Sequence, residues 1–278
     1  MLRIVLASVL LLGSVDAQRH DRLFFVPVRV AGHGPYWFAV DSGAPHSVID
    51  PYLVKELGLT TTAAPPIKGT GTGDVAMQKT APLDMAVGKV KLRIAEPWVI
   101  DLSGVPIPKS THGLVGADFF EAFVVEIDPQ RSTVRFFEPG TFRPPNGAVA
   151  LPLEDTNHRL FVNVTIDVND KERVTRRTRI DTGSSDAVGD EVAKHAVVVR
   201  ESTLGRGLGN DYQSVSGRFD AVHLGPFTFR DSWGPATPFP AIGMEMFRRF
   251  TTTFDVAHRK LYLRPNRRLK EPVPPPGQ

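Results

Sequence analysis

Two short acidic turns, one in each half of the chain, constrain what this sequence can fold into. They are Asp41, Ser42, Gly43 and Ala44 in the first half and Asp181, Thr182, Gly183 and Ser184 in the second. One copy alone would carry little information, because Asp and Ser side chains bond to nearby backbone and Gly allows positive φ in ordinary turns. Two copies at matching places indicate that the chain is built from a duplicated unit.

Fixed offsets between matching landmarks support this duplication, since such offsets are the signature of an internal repeat. The offsets fall between 127 and 140 residues, and the order of the landmarks is kept. The matching pairs are Arg22 with Arg159, Asp41 with Asp181, Gly69 with Gly205, Gly116 with Gly243, and Phe123 with Phe250. The chain is therefore predicted to form two structurally equivalent lobes, each of a size typical of one domain.

The composition favours β-structure. The 278 residues are 41% hydrophobic, which is enough for a sizeable core, and about two domains are expected at roughly 150 residues each. Frequent Val and Thr together with 24 Gly and 24 Pro favour short strands and turns. We expect an all-β fold with few short helices and with lobes at residues 18–145 and 146–266. The Pro-rich segment 267–278 is predicted to be disordered.

Residues 1–17 are typical of a secretory signal peptide. Arg3 supplies the positive start, residues 4–12 form an apolar core, and Ala17 offers a small residue for cleavage. The apolar core is about half of the ~20 residues that a membrane-spanning helix needs, so an uncleaved anchor is the weaker alternative. With no Cys, the chain has no lipid attachment site and no disulfide framework. We expect an exported protein, periplasmic or secreted.

The charge distribution does not favour a nucleic-acid partner. The net charge is +3, and the basic residues are scattered apart from Arg264, Arg267, Arg268 and Lys270. This cluster lacks the aromatic and motif context of a nucleic-acid surface, so a solvated tail is the favoured interpretation. The 8 His show neither an HExxH motif nor paired ligand spacing, so no metal and no cofactor is expected.

The chemistry of the two turns follows from the pairing of their carboxylates. Two carboxylates in one cleft cannot both ionise, so one keeps its proton while the other stays charged. Such a pair can activate a water molecule and protonate a leaving group. Asp41 and Asp181 are therefore the candidate catalytic residues. Ser42 and Thr182 could bond across to the opposite turn, and the glycines leave room for close approach; two unrelated surface turns remain the alternative.

At these residues the chain resembles the retropepsin-like and pepsin-like aspartic proteases. In that superfamily a D[ST]G[AS] turn carries the catalytic Asp, and two apolar residues followed by Gly pack behind it. The second element is present as Leu114, Val115 and Gly116 and again as Ala241, Ile242 and Gly243. The resemblance implies two acid-protease-like β-barrel lobes related by a pseudo-twofold, sharing one active site. Such a chain is an intramolecular pseudo-dimer, expected to be a monomer.

Spaced glycines follow each acidic turn, namely Gly69, Gly71, Gly73, Gly205, Gly207 and Gly209. Neither copy opens an apolar helix, so a phosphate-binding loop is not favoured. The resemblance implies instead flaps that close over a bound peptide. Pepsin-like enzymes usually carry a Tyr on the first flap, whereas here Tyr212 follows the second glycine loop.

Differences between the two copies predict how the carboxylates share their proton. Ser184 stands where the first copy has Ala44, and an extra hydroxyl near a carboxylate favours its charged form. Asp181 is therefore predicted to be the ionised member of the pair and Asp41 the protonated one. His46 and its counterpart Asp186 could tune the site or lie at the surface. The strand before Asp181 is far more polar than that before Asp41.

These features predict an aspartic endopeptidase that acts on peptide or protein substrates with a water activated by Asp41 and Asp181. A non-catalytic peptide-binding module with the same fold is the alternative. Loss of either Asp would have favoured it, and both are present.

Overall fold

A computed structural model describes residues 9–204 and 207–275 of the chain. About half of the chain, 51%, is in β-strands. The described helices are short: α1 (Pro51–Glu56), α2 (Ala117–Ala122), α3 (Met244–Phe247) and one 3₁₀ turn (Glu191–His195). The prediction of an all-β, two-lobed fold is confirmed. None of the described helices is long and apolar enough to cross a membrane.

The strands of the first half are separated by short turns. In chain order they are β1 (Leu11–Asp16), β2 (Gln18–His20), β3 (Leu23–Val30), β4 (His33–Val40), β5 (Val48–Ile49), β6 (Thr61–Ile67), β7 (Val75–Thr80), β8 (Leu83–Val87), β9 (Val90–Ile94), β10 (Trp98–Val99), β11 (Thr111–Val115), β12 (Val124–Asp128) and β13 (Thr133–Phe137).

The strands of the second half follow the same plan. They are β14 (Val149–Pro152), β15 (Glu154–Asp155), β16 (Leu160–Asp167), β17 (Arg173–Ile180), β18 (Val188–Gly189), β19 (Val198–Leu204), β20 (Tyr212–Leu224), β21 (Phe227–Pro235), β22 (Ala241–Ile242), β23 (Phe250–Asp255) and β24 (Lys260–Pro265).

Each half contributes one curled sheet. The first has the order β6-β7-β10-β5-β11-β4-β3-β8-β9, with β2 paired to β3. The second has the order β18-β22-β17-β16-β20-β19, with β15 paired to β16 and β21 to β20. In the first sheet β11 runs parallel to β4 and antiparallel to β5. In the second, β22 runs parallel to β17 and antiparallel to β18. The internal repeat is thus visible in the strand topology.

A third sheet joins the two halves. It has six strands in the order β1-β13-β12-β23-β24-β14. Its central pair is β12 with β23, in which Val125 lies opposite Phe254 and Ile127 opposite Thr252. The side chains of Val125, Ile127 and Phe254 are all buried. The third sheet therefore packs as a common base beneath both halves.

Local sequence explains where the first helix begins. The Asp50 carboxylate accepts a hydrogen bond from the Leu53 backbone N–H at 3.0 Å, which satisfies one of the free donors of the first turn. Pro51 occupies the first helical turn, where its missing N–H costs nothing. The 3₁₀ turn Glu191–His195 is capped in the same way by the Asp190 carboxylate, which accepts from the Val192 N–H at 3.0 Å.

Two proline-containing segments are ordered parts of the fold. The segment Thr61–Ile67, which includes Pro65 and Pro66, forms the edge strand β6. Pro is compatible with an edge strand because no neighbour needs its N–H there. The tail is packed as far as Val273, which is 2% exposed, instead of being disordered from residue 267. The buried Arg249 guanidinium holds it by donating from Nη2 to the Glu271 and Pro272 carbonyls at 3.0 and 2.7 Å.

The first described strand lies within the predicted signal peptide. Strand β1 pairs antiparallel with β13, and Val15 faces Val134. The Ala17 N–H donates to the Ser132 carbonyl at 2.8 Å. Strand β1 therefore forms one edge of the third sheet.

Candidate active site

The two acidic turns occur where β4 and β17 end. The Asp41 N–H donates to the Val115 carbonyl at 3.0 Å, and the Asp181 N–H donates to the Ile242 carbonyl at the same distance. These acceptors belong to β11 and β22, the strands that precede Gly116 and Gly243. Each turn is thus held by the apolar element of its own half.

Four reciprocal hydrogen bonds link the two turns through Ser42 and Thr182. The Ser42 N–H donates to Thr182 Oγ1 at 2.9 Å and the Thr182 N–H donates to Ser42 Oγ at 3.1 Å. The Ser42 hydroxyl then donates to the Ile180 carbonyl at 3.1 Å, and the Thr182 hydroxyl donates to the Val40 carbonyl at 2.8 Å. Both side chains are fully buried, where such bonds are costly to break. The spacing of the turns is therefore fixed.

The glycine of each turn faces the carboxylate of the other. A Cβ added to Gly43 would lie 2.7 Å from Asp181 Cγ, and one added to Gly183 would lie 2.5 Å from Asp41 Cγ. Both distances are shorter than real Cβ contacts. Only glycine fits here, and the two carboxylates lie together where the turns meet.

Each carboxylate accepts a hydrogen bond from its own turn. The Gly43 N–H donates to Asp41 Oδ1 at 2.8 Å, and the Gly183 N–H donates to Asp181 Oδ1 at 3.1 Å. The symmetry ends at the second oxygen of Asp181, which accepts from Arg179 Nη2 at 2.9 Å. Asp181 therefore has a cationic partner at 2.9 Å.

This asymmetry gives the two carboxylates different electrostatic surroundings. Burial, and then the charge of Asp181, raise the pKa of Asp41 to about 7. The nearby Arg179 charge opposes this rise only in part. Arg179 bonds to Asp181 and not to Asp41, so the cation is placed on one carboxylate of the pair, and Asp41 is the one whose pKa is raised.

The group that distinguishes the two carboxylates is not Ser184, which the sequence predicted. Ser184 Oγ accepts a hydrogen bond from the Asp186 N–H at 3.2 Å, and no bond from this hydroxyl to Asp181 is present among the described residues. Arg179, not Ser184, is the group that favours the charged form of Asp181. The signal for Arg179 was in the sequence, since alternate residues of a strand share a face and Arg179 is two residues before Asp181.

Neither His46 nor Asp186 bonds to the carboxylate pair. The His46 ring packs on Trp98 with the ring centroids 4.7 Å apart, and its Nδ1 is 3.9 Å from Asp118 Oδ1. Burial, and then the charge of Asp181, raise the pKa of Asp186. The charge of Asp181 thus acts on Asp186 without a hydrogen bond between them, whereas the His46 ring packs against Trp98.

The glycine loops are the tips of two hairpins, β6–β7 and β19–β20, and the two tips contact each other. The Gly71 N–H donates to the Leu208 carbonyl at 2.9 Å, while Thr72 and Asn210 exchange backbone bonds of 2.9 and 2.8 Å. A Cβ at Gly69 would lie 2.1 Å from the Leu208 carbonyl oxygen, so the close approach of the tips requires glycine. A Cβ added to Gly73 would lie 3.0 Å from the side-chain amide nitrogen of Asn210.

In the second tip, an added Cβ at Gly207 would lie 2.5 Å from Thr70 Oγ1, and Gly209 has a φ of +104°. Gly205 lies outside the described residues. Tyr212 begins strand β20, directly after this tip.

Comparison with known families is consistent with this geometry. Residues 26–119, about one third of the chain, match the family model described as aspartyl protease. The matched segment runs from within β3 through the Asp41 turn and Gly116 into α2. The first half of the chain is therefore similar to an aspartyl protease. No curated protein matched the sequence.

This match supports a protease-type function, and a protease acts on peptide substrates. The second half lies beyond the matched segment, and its correspondence to the first is carried by strand topology. Within residues 9–204 and 207–275, no group of three or more His, Asp or Glu side chains is arranged to hold a metal ion.

Proposed function

We propose that this protein is an aspartic endopeptidase whose nucleophile is a water held between Asp41 and Asp181. The ionised Asp181 accepts a proton from the water as it attacks the peptide carbonyl. Asp41 donates its proton to the carbonyl oxygen, which leaves a neutral tetrahedral diol. Proton transfer to the amide nitrogen then lets the C–N bond break.

One observation carries this proposal: the two carboxylates are held together by fixed turns yet differ in their surroundings. Asp41 is partly buried, has no cation bonded to it, and has a pKa raised to about 7, whereas Asp181 is bonded to Arg179 at 2.9 Å. A pair with one acid and one base at neutral pH can do both proton transfers at once. Two unrelated surface turns would not be joined by buried hydrogen bonds such as those between Ser42 and Thr182.

A second candidate is a peptide-binding module that uses the same cleft without turnover. The meeting of the hairpin tips would suit either function. The retention of both carboxylates and of their cross-linked turns favours the enzyme, because binding alone does not require a buried pair that shares one proton.

Hydrolysis of a mixed peptide library between pH 3 and 8 tests the proposal, with a statine inhibitor and Asp181→Asn as controls. Cleavage that both controls remove supports the two-carboxylate mechanism. A folded protein that binds peptides without cleaving any supports the binding module, and cleavage that survives both controls contradicts the assignment.

Arg179→Gln should shift both limbs of the pH–rate profile to higher pH. In the native protein the rate should fall as pH rises through about 7, because Asp41 then loses its proton. The Arg179 charge lowers the pKa of Asp41 and stabilises the Asp181 anion, so its loss makes both groups harder to ionise. The measurement is kcat/KM against pH, with Ser184→Ala as the control that should leave both limbs in place. A pH–rate profile that shifts in Ser184→Ala but not in Arg179→Gln would contradict this account.

The hairpin tips should control peptide binding if they cover the substrate. Gly69→Ala places a Cβ against the Leu208 carbonyl and should hold the tips apart, lowering kcat/KM about tenfold, mainly through KM. Gly104→Ala is the control, because a Cβ at this loop position meets no atom within 4 Å. Equal kinetics for the two variants would show that tip contact does not assist binding.

We also propose that the protein is exported as a monomer, periplasmic or secreted, after removal of residues 1–17. The apolar character of residues 4–12 supports this. Cleavage after Ala17 would release β1 from β13. The intact mass of the exported protein tests the proposal, since a mass that includes residues 11–17 would show that β1 stays in the sheet.

A further inference from the structure

Arg179 has donor capacity that its bond to Asp181 does not use. Only Nη2 engages Asp181, while Nε–H is buried without a hydrogen-bond partner among the described atoms. A guanidinium carries five N–H donors in a planar fork. The side chain remains 22% exposed, so a bound molecule at the carboxylate pair could reach it.

Arg159 adds a second cation beside Arg179. Its N–H and carbonyl bond to Thr156 at 3.2 and 3.0 Å, which fixes its backbone at the start of β16. Phe161 lies opposite Arg179 in the β16–β17 register, and Arg159 is two residues before Phe161, so the three share one face. Burial, and then the charge of Arg179, lower the pKa of Arg159.

The Arg159 guanidinium has no hydrogen bond or ion pair with any residue in the described part of the chain. Its counterpart in the first half, Arg22, is paired with Glu245 at 2.5 Å. The counterpart of Glu245 is Asp118, whose Oδ2 accepts from the Ser47 N–H instead. The residue equivalent to Arg179 in the first half is Ala39. The second half therefore presents two cations that the first half lacks or neutralises.

A third arginine on this face, Arg177, already has hydrogen-bond acceptors. Arg177 donates to Glu154 Oε2 and Thr156 Oγ1, both at 2.6 Å, and its guanidinium lies 3.5 Å from the Phe161 ring centroid. Arg177 thus has two described acceptors, whereas Arg159 has none among the described residues and Arg179 bonds to Asp181 through Nη2 alone.

Two like charges in partly buried positions repel each other and are poorly hydrated, so an anion placed between them would be strongly favoured. We propose that Arg159 and Arg179 form an anion subsite beside the carboxylate pair that binds a carboxylate of the peptide substrate. The carboxylate belongs to an Asp or Glu side chain near the scissile bond or to the peptide's own C-terminus. This inference rests on the proposed function, because it names the substrate preference of the same cleft.

The test compares matched peptides carrying Glu, Gln or Lys near the scissile bond, each with a free or an amidated C-terminus. The native enzyme should prefer Glu over Gln in kcat/KM if a side chain fills the subsite, or free over amidated if the terminus does. Arg159→Gln should reduce that preference about tenfold, and Arg159→Lys should keep part of it. Arg177→Gln, which removes a charge of the same face, is the control and should leave the preference intact.

A binding measurement separates this inference from the proposed function. The affinities of the same peptides are measured by fluorescence anisotropy on the Asp41→Asn background, with and without Arg159→Gln, after thermal unfolding has shown that each variant is folded. An Arg159-dependent preference for the carboxylate peptide supports the subsite even if no peptide is cleaved. Cleavage and binding without any such preference, or a preference that Arg177→Gln removes equally, overturn the subsite while leaving the protease assignment standing.

Discussion

Asp41→Asn should abolish peptide hydrolysis, lowering kcat/KM by about 10³-fold or more. An amide has nearly the shape of the carboxylic acid, so the Gly43 N–H keeps an acceptor in place of Asp41 Oδ1. The amide cannot donate a proton to the peptide carbonyl and regain it in the next step. Peptide binding should persist, because the cross-links through Ser42 and Thr182 do not involve the Asp41 side chain.

The matched control is Asp84→Asn, which removes a carboxylate that is paired with Arg93 at the surface. Its rate should stay within about twofold of the native rate. Thermal unfolding and far-UV circular dichroism should show both variants folded. Hydrolysis that survives Asp41→Asn at more than a tenth of the native rate would rule out Asp41 as the acid.

Gly183→Ala should lower kcat/KM by about 100-fold or more while the fold is kept. The new Cβ would lie 2.5 Å from Asp41 Cγ and 2.6 Å from each of its oxygens, so a group has to move. The backbone of the turn is restrained by the bonds of Thr182 to Ser42 and Val40. The Asp41 side chain is therefore displaced, and a shift of about 1 Å in a reacting group costs about 10² in rate.

Gly104→Ala is again the control for this change, since a Cβ there meets open space. The comparison is made on kcat and KM separately, and the loss for Gly183→Ala should appear mainly in kcat. Native kinetics in a folded Gly183→Ala protein would mean that the two carboxylates are farther apart in solution than the turns imply.

Much of the site could be predicted because the chemistry depends on residue types that the sequence displays twice. A turn of Asp, a small hydroxyl residue and Gly has few ways to support two facing carboxylates, so the roles of Ser42 and Thr182 followed from their position. The apolar residues before Gly116 and Gly243 indicated the strands that hold the turns. These features are local, and local sequence specifies them.

Long-range pairing could not be predicted in the same way. The β12–β23 pair joins residues about 127 positions apart, and no periodicity in either strand indicates its partner. The bond between Arg179 and Asp181 required knowing that both side chains share a face. The packed tail depends on Arg249, whose burial only the assembled structure reveals.

The third sheet has a consequence for how the molecule can move. Hydrogen bonds run without a break from β13 through β12 to β23 and β24, so each half completes the sheet of the other. A hinge between the halves would have to tear this sheet. The halves therefore behave as one cooperative unit, and the distance between the two carboxylates stays constant. In the proposed protease, we expect peptide entry to require separation of the two glycine tips rather than separation of the halves.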